Sequence, residues 1–437
     1  MNVNRTYDVD IISSGMNGEG VARLDGKVLF VPYTLCGERV RVVVKLVKKN
    51  YAVGSVVKVL SPSPDRVAPS CPHYFKCGGC DLGHVTNEYR EKALVSELRN
   101  NLRKIAGIVR DDIEFVKCEA TAGVRNKLSM PFGVAEGKPV LGLYRQGTHV
   151  VEQVSCEFAT PRMKEVADIV CEFAFSRNLP VYDGENGLLR HLVLREQGGR
   201  LSATLVINSD RCERWERELG ALFPEYVDFF ICPNTRRNNV ILGDSVRLIR
   251  GNERLPLDVL GVKAELSPLA FLQVNDGIRD ALYTAAMSFL RGKTLVDLYS
   301  GIGITSNLAA RRCEKVIAVE SVPQAVEDAD RTAELNGNSS VIENICGNVE
   351  DVVSGLCDRC AGADVLIDPP RKGCGAAVMR AIADMRPERI VYISCNHATM
   401  CRDIAMLDGY TLEHVALYDM FPRTHHAETL ACFVRNK

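Results

Sequence analysis

The sequence predicts an α/β protein with a small N-terminal β-barrel, a mixed α/β middle region and a C-terminal Rossmann-like sheet. Apolar runs typical of buried parallel strands alternate with helical segments through the last third of the chain. A Gly301-x-Gly303 turn follows the strand predicted at 293–299, as in doubly wound folds. Near the N-terminus, apolar residues alternate with basic ones between Arg39 and Leu46, which is the period of a half-buried strand.

At 437 residues the chain exceeds what one hydrophobic core usually organises. We therefore predict three domains: a β-barrel over residues 1–60, a central α/β domain over 61–262, and the doubly wound domain over 263–437. The segment Ser61-Pro62-Ser63-Pro64 has the composition of a linker between the first two. Apolar residues recur at helical spacing from Glu88 to Ile105, which predicts one amphipathic helix.

Composition excludes several classes of protein. Hydrophobic residues make up 46% of the chain, no apolar run is long enough to span a bilayer, and no signal-peptide pattern follows Met1. We therefore expect a cytoplasmic protein with no membrane partner. The chain has 17 cysteines, which in that compartment are expected to be reduced thiols. Most are expected to be buried as small apolar residues, and some to have metal-binding or catalytic roles.

The predicted barrel carries a local positive charge. The whole chain has a formal net charge of −1, so nucleic-acid binding would require local clustering of basic residues. Residues 1–60 contain nine Lys and Arg against five Asp and Glu, a local balance of +4. A basic small barrel is a common RNA-binding module. Charge alone equally allows a solvated face on a structural domain.

Three closely spaced cysteines indicate a metal site. Cys71, Cys77 and Cys80 form a C-x5-C-x2-C pattern, with two glycines before the last cysteine that let backbone amides approach bound sulfur atoms. Three thiolates need a fourth ligand, and Cys156 is a candidate from farther along the chain. Four cysteines can hold zinc or an iron–sulfur cluster, and their spacing alone leaves both open.

The glycine turn after the first strand of the C-terminal sheet indicates a ligand that contains a nucleoside. A dinucleotide site would have a third glycine where Ser306 stands, so the pattern favours the methyl donor S-adenosylmethionine over NAD. Glu320 ends the next strand, where an acidic residue is placed to hold ribose hydroxyls. Asn348, beyond the third strand, is expected to contact adenine.

Cys395 lies just past the carboxyl end of an apolar strand, where open α/β sheets place their ligands. Upstream, Asp368-Pro-Pro-Arg371 follows another strand. Amino-methyltransferases that act on adenine have an aromatic residue at the fourth position of such a loop, so Arg371 argues against methylation of an exocyclic nitrogen. A cysteine thiolate instead suits carbon chemistry, because its addition to C6 of uracil converts C5 into a nucleophile.

That mechanism also requires a base, because the C5 proton must leave after methyl transfer. Glu428 lies in the polar segment near the C-terminus and is a reasonable proton acceptor. His425 and His426 in the same segment are alternatives for the role.

Together these motifs resemble one family, the RNA uracil-5-methyltransferases, and within it the iron–sulfur branch that methylates 23S ribosomal RNA. The resemblance covers nearly the whole chain, from a segment similar to the family's TRAM barrel to the Ser-Cys-Asn motif at Cys395. It implies a class I SAM-dependent methyltransferase domain in which Cys395 is the nucleophile and Glu428 the base. It further implies two sets of ligand-binding residues: S-adenosylmethionine at Gln273, Tyr299, Glu320, Asn348 and Asp368, and a [4Fe-4S] cluster at Cys71, Cys77, Cys80 and Cys156.

Two positions depart from the family pattern. His397 stands where proline usually follows the Ser-Cys-Asn motif, which could alter the loop that carries the nucleophile. Ile304 occupies a position that is asparagine in some relatives, so we leave it out of the donor site.

The resemblance implies an enzyme that transfers a methyl group to C5 of a uridine in 23S rRNA, after taking the base out of its stack. We expect the protein to be a monomer. One alternative substrate is the T-loop uridine of tRNA. An alternative of a different class is an RNA-binding protein that keeps the fold without turnover.

Overall fold

The computed structural model describes residues 1–15, 17–120 and 122–436. The chain forms two compact units, of which the first comprises Met1–Asn100 with Phe421–Ala427 and the second Asn101–Met420 with Glu428–Lys437. No helix in the described part of the chain combines the length and apolar character needed to cross a membrane.

The first unit contains a six-stranded sheet. Its strands are β1 (Thr6–Asp10), β2 (Ser13–Ser14), β3 (Gly20–Leu24), β4 (Lys27–Val31), β5 (Arg39–Val47) and β6 (Tyr51–Ser61), in the order β1-β5-β6-β4-β3-β2. In β5 the alternation read from the sequence holds as far as Val44, because Val40, Val42 and Val44 are fully buried while Arg39 and Arg41 are exposed. It was wrong at Leu46, which is exposed because the pairing with β6 shifts register between Val44 and Leu46. The predicted N-terminal β-barrel is confirmed.

Helix α1 (Asn87–Ile105) begins in the first unit, one residue before the predicted start, and ends at the predicted residue. Its buried Arg90 binds the segment Phe421–Ala427. The guanidinium donates from Nε to the carbonyl of Thr424 at 2.7 Å and from one terminal nitrogen to the carbonyl of Phe421 at 3.1 Å. A short polar segment from the far end of the chain is thereby held in the first unit.

The first strand of the second unit is β7 (Glu114–Val116), which the sequence did not indicate. A seven-stranded sheet follows, in the order β10-β9-β8-β11-β12-β13-β14. Its strands and helices are β8 (Lys127–Ala135), β9 (Lys138–Tyr144), β10 (Val151–Gln153), α2 (Pro161–Ser176), β11 (Leu189–Gln197), β12 (Arg200–Ile207), α3 (Arg214–Leu222), β13 (Val227–Pro233) and β14 (Arg247–Arg250). This is the mixed α/β architecture predicted for the middle of the chain.

The hairpin β15 (Leu255–Val259) and β16 (Val262–Leu266) leads into an eight-stranded sheet of order β19-β18-β17-β20-β21-β23-β22-β7. Its elements are α4 (Asp276–Phe289), β17 (Thr294–Leu298), α5 (Ile304–Ala310), β18 (Lys315–Glu320), α6 (Pro323–Leu335), β19 (Ile342–Cys346), α7 (Val349–Val352), a 3-10 turn (Val353–Leu356), β20 (Asp364–Ile367), α8 (Ala376–Met385), β21 (Arg389–Ser394), α9 (His397–Ile404), β22 (Tyr410–Tyr418) and β23 (Glu428–Arg435). The predicted Rossmann-like domain is confirmed.

Strand direction in this sheet determines where functional side chains meet. Strands β19, β18, β17, β20 and β21 are parallel, so their carboxyl ends lie along one edge. Strand β23 runs antiparallel to β21, with Thr429 opposite Ser394. The first residue of β23 therefore lies at the same edge as the carboxyl end of β21.

Candidate active site

The first strand of the parallel sheet supplies a buried acid to the glycine turn. The carboxylate of Asp297 accepts hydrogen bonds from the hydroxyl of Thr305 at 2.7 Å and from that of Ser306 at 2.6 Å. Burial raises the pKa of Asp297 to about 6 despite these bonds. Ser306, the residue that breaks the dinucleotide pattern, thus binds Asp297 and fixes the start of α5.

The turn itself needs left-handed backbone conformations. Tyr299 has φ of 63° and Gly303 has φ of 77°. Glu320 at the end of β18 steadies this turn, because one carboxylate oxygen accepts the N–H of Gly301 at 3.0 Å and the other the N–H of Val322 at 2.8 Å. Tyr299 and Glu320 therefore lie together beside the turn.

The adenine-contacting residue predicted from the sequence lies after the next strand. Asn348 is exposed at the N-terminus of α7, and its amide donates to Asp351 at 3.0 Å. It follows β19, the strand next to β18, so it belongs to the same edge of the sheet.

Gln273 and Asp368 meet through their side chains. The Gln273 side chain is buried and hydrogen-bonds to the Asp368 carboxylate. Desolvation, reinforced by the charge of Asp297, raises the pKa of Asp368 to about 7, and the bond from Gln273 opposes that rise. A carboxyl group here changes its charge near neutral pH.

Asn126 is a supporting residue that sequence reasoning missed. Its side-chain amide donates to the carbonyl of Gln273 at 2.9 Å, and its backbone N–H donates to that of Val274 at 2.8 Å. The buried amide thus holds the backbone that presents Gln273. No local pattern around Asn126 marks it, because its partners lie about 150 residues away.

Cys395 and Glu428 are brought together by the antiparallel pair β21–β23. Cys395 follows the last residue of β21, and Glu428 is the first residue of β23, next to the paired positions Ser394 and Thr429. Glu428 is only 2% exposed, and its Oε2 atom has no hydrogen-bond partner among the described residues. Burial, with the charge of Asp368, raises the pKa of Glu428 to about 8.

The thiol of Cys395 is half-buried and close to both carboxyl groups. Burial, followed by the charge of Glu428, raises its pKa to about 11, and the guanidinium of Arg371 opposes the rise. The positive charge of Arg371 also lowers the pKa of Glu428, against the effect of burial. The site thus holds one thiol, two carboxyl groups and one guanidinium.

The histidine alternatives belong to the first unit. The backbone N–H of His425 donates to Asp81 at 2.8 Å, and its ring Nδ1 is paired with the same carboxylate. The ring of His426 lies 3.8 Å from that of His425, measured between centroids. Neither contact involves the second unit, which contains Cys395 and Glu428.

His397, at the position where proline usually follows the motif, is the first residue of α9. Proline is favoured at that position because its missing N–H has no partner there in any case. The helix still begins correctly, since the side chain of Asn396 accepts the N–H groups of Ala398 at 3.1 Å and Thr399 at 3.4 Å. The ring of His397 gains a hydrogen bond with Asn101 at 2.8 Å.

The predicted cluster cysteines divide between the units. Cys71, Cys77 and Cys80 lie half-buried in the first unit and Cys156 half-buried in the second. The N–H of Gly79 donates to Sγ of Cys77 at 3.3 Å. Within the ranges 1–15, 17–120 and 122–436, no group of three or more His, Cys, Asp or Glu side chains is arranged to hold a metal ion.

Comparison with known families gives two matches. Residues 252–436 match the model of the tRNA (uracil-5-)-methyltransferase family, and residues 1–57 match the TRAM domain. The first match contains the whole glycine turn, Asp368, Cys395 and Glu428.

Full-length relatives agree with these matches. The chain is 36% identical to an uncharacterized RNA methyltransferase of Caldanaerobacter subterraneus over 99% of both chains. It is 34% identical to another from Bacillus cereus, covering 98% of this chain and 97% of the relative. Among solved structures, Pyrococcus abyssi tRNA (uracil-54, C5)-methyltransferase in complex with S-adenosyl-L-homocysteine is similar with a TM-score of 0.78 and 24% identity, covering 98% of this chain and 99% of that one. This likeness shows a shared fold.

The raised pKa of Glu428 predicts a pH-dependent effect of its removal. The folded-state pKa of about 8 exceeds the usual value of 4.5, so stability is full below 4.5 and is lost as pH rises toward 8. Glu428→Gln removes this pH-dependent loss of stability, because a glutamine side chain does not ionise. At about 1.4 kcal/mol per pKa unit, the variant should gain up to roughly 4 kcal/mol relative to wild type between pH 4.5 and pH 8.

Urea unfolding of both proteins at several pH values measures this difference. The matched control is Glu334→Gln, on the exposed face of α6, which should track wild type at every pH. A constant difference between Glu428→Gln and wild type from pH 5 to pH 9 would show that Glu428 keeps an ordinary pKa.

Proposed function

Because the chain belongs to the RNA uracil-5-methyltransferase family, and is thus a SAM-dependent RNA methyltransferase, we propose that it methylates C5 of a uridine through a covalent adduct with Cys395. The observation that carries the proposal is the meeting of Cys395 and Glu428 at the shared end of β21 and β23. A thiol and a buried carboxyl group with an unpartnered oxygen are the two groups that the mechanism needs.

In the first half of the reaction, the thiol of Cys395 loses its proton to solvent and the thiolate attacks C6 of the flipped uracil. The sulfur lone pair forms the S–C6 bond, and the electrons of the C5–C6 double bond move towards O4. The resulting enolate forms a C5–CH3 bond with the methyl group that S-adenosylmethionine supplies. The electrons of the broken sulfur–methyl bond stay on the donor's sulfur.

In the second half, Glu428 removes the proton from C5. The electrons of the C5–H bond restore the C5–C6 double bond, and the C6–S bond breaks with its electron pair returning to Cys395. Glu428 must be deprotonated to act, so its pKa of about 8 predicts that product release quickens as pH rises towards that value.

The donor site is proposed around the glycine turn. The proposed donor residues lie at the carboxyl edge of the parallel strands or beside it; they are Gln273, Tyr299, Glu320, Asn348 and Asp368. Glu320 would accept ribose hydroxyls and Asn348 would face adenine. The bond between Gln273 and Asp368 supports a shared role for these two residues near the transferable methyl group.

For the substrate we propose structured RNA, and 23S rRNA in particular. The support is the resemblance of the four cysteines to the cluster-bearing branch of the family. The T-loop uridine of tRNA is the second candidate, since the solved relative from Pyrococcus abyssi carries that activity in its name. Mass mapping of 5-methyluridine in rRNA and tRNA from cells with and without this protein separates the two.

We also propose a [4Fe-4S] cluster at Cys71, Cys77, Cys80 and Cys156. The donor chemistry fits, because four thiols are available and Cys77 already receives a backbone N–H, an interaction that stabilises a thiolate ligand. The described side chains do not by themselves form a metal site, so metal loading would have to gather the thiols. No reaction step depends on the cluster.

Replacement of the nucleophile should separate donor binding from chemistry. Cys395→Ala should lower RNA methylation at least about a hundredfold, because no thiolate can add to C6. It should also abolish the stable adduct with RNA containing 5-fluorouridine, while S-adenosylmethionine binding measured by calorimetry stays near wild type. Cys346→Ala, an exposed cysteine of the same sheet, is the control. Substantial turnover by Cys395→Ala would remove Cys395 from the mechanism.

Glu428→Gln should have a different phenotype, because attack and methyl transfer remain possible while proton removal does not. Methylated RNA should accumulate covalently bound to the protein. On denaturing gels with ordinary RNA and methyl donor, this variant should give a retarded band that wild type lacks. If release stays fast and no band forms, His425, His426 or water is the better candidate for the base.

Metal analysis tests the cluster. Protein purified without oxygen should be brown and contain about four irons per chain. Cys77→Ser should lose iron and stability together, whereas Cys212→Ser, at an exposed cysteine, should lose neither. Stoichiometric zinc without iron in wild-type protein would favour the zinc alternative.

A further inference from the structure

The loop between β20 and α8 is held closely by the helix that follows the nucleophile. Asp403 in α9 is fully buried, and its Oδ2 atom accepts the N–H of Cys374 at 2.8 Å and the hydroxyl of Tyr392 at 2.8 Å. The loop passes so near that a Cβ atom on Gly373 would lie 2.4 Å from the same oxygen, and Gly373 has φ of 77°. Only glycine fits at that position.

Further contacts from the same helix reach the preceding loop residues. The carbonyl of Arg371 accepts the hydroxyl of Thr399 at 3.3 Å, and that of Lys372 accepts the guanidinium of Arg402 at 2.8 Å. Residues 371 to 374 are thus anchored by their backbone, with no use of the Arg371 side chain. The Arg371 side chain takes no part in these contacts.

The side chain of Arg371 acts on the reactive groups. The carbonyl of Arg371 also accepts the side-chain amide of Asn396, the residue after the nucleophile, at 3.5 Å, so Arg371 lies beside the loop that carries Cys395. Its positive charge lowers the pKa of Cys395 and of Glu428, against the effect of burial. The two carboxyl groups nearby disfavour a thiolate, whereas a guanidinium beside the sulfur favours it. Arg371 is exposed, so it lies on the open side of the site.

We propose that Arg371 stabilises the Cys395 thiolate, both before attack on C6 and when sulfur leaves the product, and that Asp403 is the positioning residue that holds Arg371 there. This inference rests on the proposed function. It explains the fourth residue of the Asp-Pro-Pro-Arg loop, which would be aromatic in an enzyme acting on an exocyclic nitrogen. It also explains why α9 anchors the loop, since that helix begins right after the nucleophile and therefore fixes both partners of the ion pair.

The test is the alkylation rate of Cys395 in full-length protein without RNA or methyl donor. Iodoacetamide reacts with the thiolate, and mass spectrometry of the peptide that contains Cys395 separates it from the other cysteines. Losing the guanidinium should lower the thiolate fraction about tenfold per pKa unit, while the more basic sulfur recovers part of the rate. Arg371→Gln should therefore react at least about threefold more slowly at pH 7.5, and Arg371→Lys should fall between this variant and wild type.

Two variants test the anchoring. Asp403→Asn weakens the bonds that hold the loop and should slow alkylation in the same direction as Arg371→Gln. Because Asp403 is buried and its replacement could impair folding, Thr399→Val provides a milder test by removing the hydroxyl that donates to the carbonyls of Arg371 and Asn396. The matched control is Arg380→Gln, since Arg380 is exposed and donates to the carbonyl of Ala376 in its own helix. It should react like wild type.

Equal alkylation rates for Arg371→Gln and wild type across pH 7 to 10 would overturn the proposal. If Arg371→Gln loses methylation with unchanged alkylation, Arg371 serves only the RNA, and the proposed function stands without this inference. If Cys395→Ala keeps methylating, the proposed function fails, yet a slower alkylation of Arg371→Gln would still show the ion pair.

Discussion

Desolvation of two carboxyl groups and one thiol at a single edge of the eight-stranded sheet is the constraint on which the site depends. Asp368, Glu428 and Cys395 each have a raised pKa, because each is removed from water near another acidic group. They cannot all be charged at neutral pH. The hydrogen bond from Gln273 opposes the raised pKa of Asp368, and the charge of Arg371 opposes the raised pKa of Glu428 and Cys395.

This grouping requires the reversal of one strand. In a wholly parallel sheet, the residue that starts a strand lies at the edge opposite to the carboxyl ends, far from any ligand. Strand β23 is antiparallel to β21, so Glu428, its first residue, reaches the edge where Cys395 lies. The insertion of an antiparallel strand between β21 and β22 thus brings Glu428, the proposed base, beside Cys395, the proposed nucleophile.

Backbone anchors hold the remaining parts of the site. Asn126 binds the carbonyl of Gln273, and Glu320 binds the N–H of the glycine turn. Asp403 binds the loop that carries Arg371. In each case a side chain from one element satisfies a backbone group of another, and Glu320 is both such an anchor and a proposed donor-site residue. Buried polar groups paired in this way favour one arrangement, because any other would leave them unsatisfied.

The sequence by itself determined the Rossmann-like domain, the N-terminal barrel and the residue types of the candidate site. Strand periodicity, the glycine turn and the residues after each strand are local features, and parallel strands with short connections place such residues at one edge. Only the tertiary structure decided that Glu428 faces Cys395, that β7 joins the C-terminal sheet, and that Asn126 and Asp403 anchor the site. These contacts join segments remote in sequence, and strand direction and register between such segments depend on how the whole core packs.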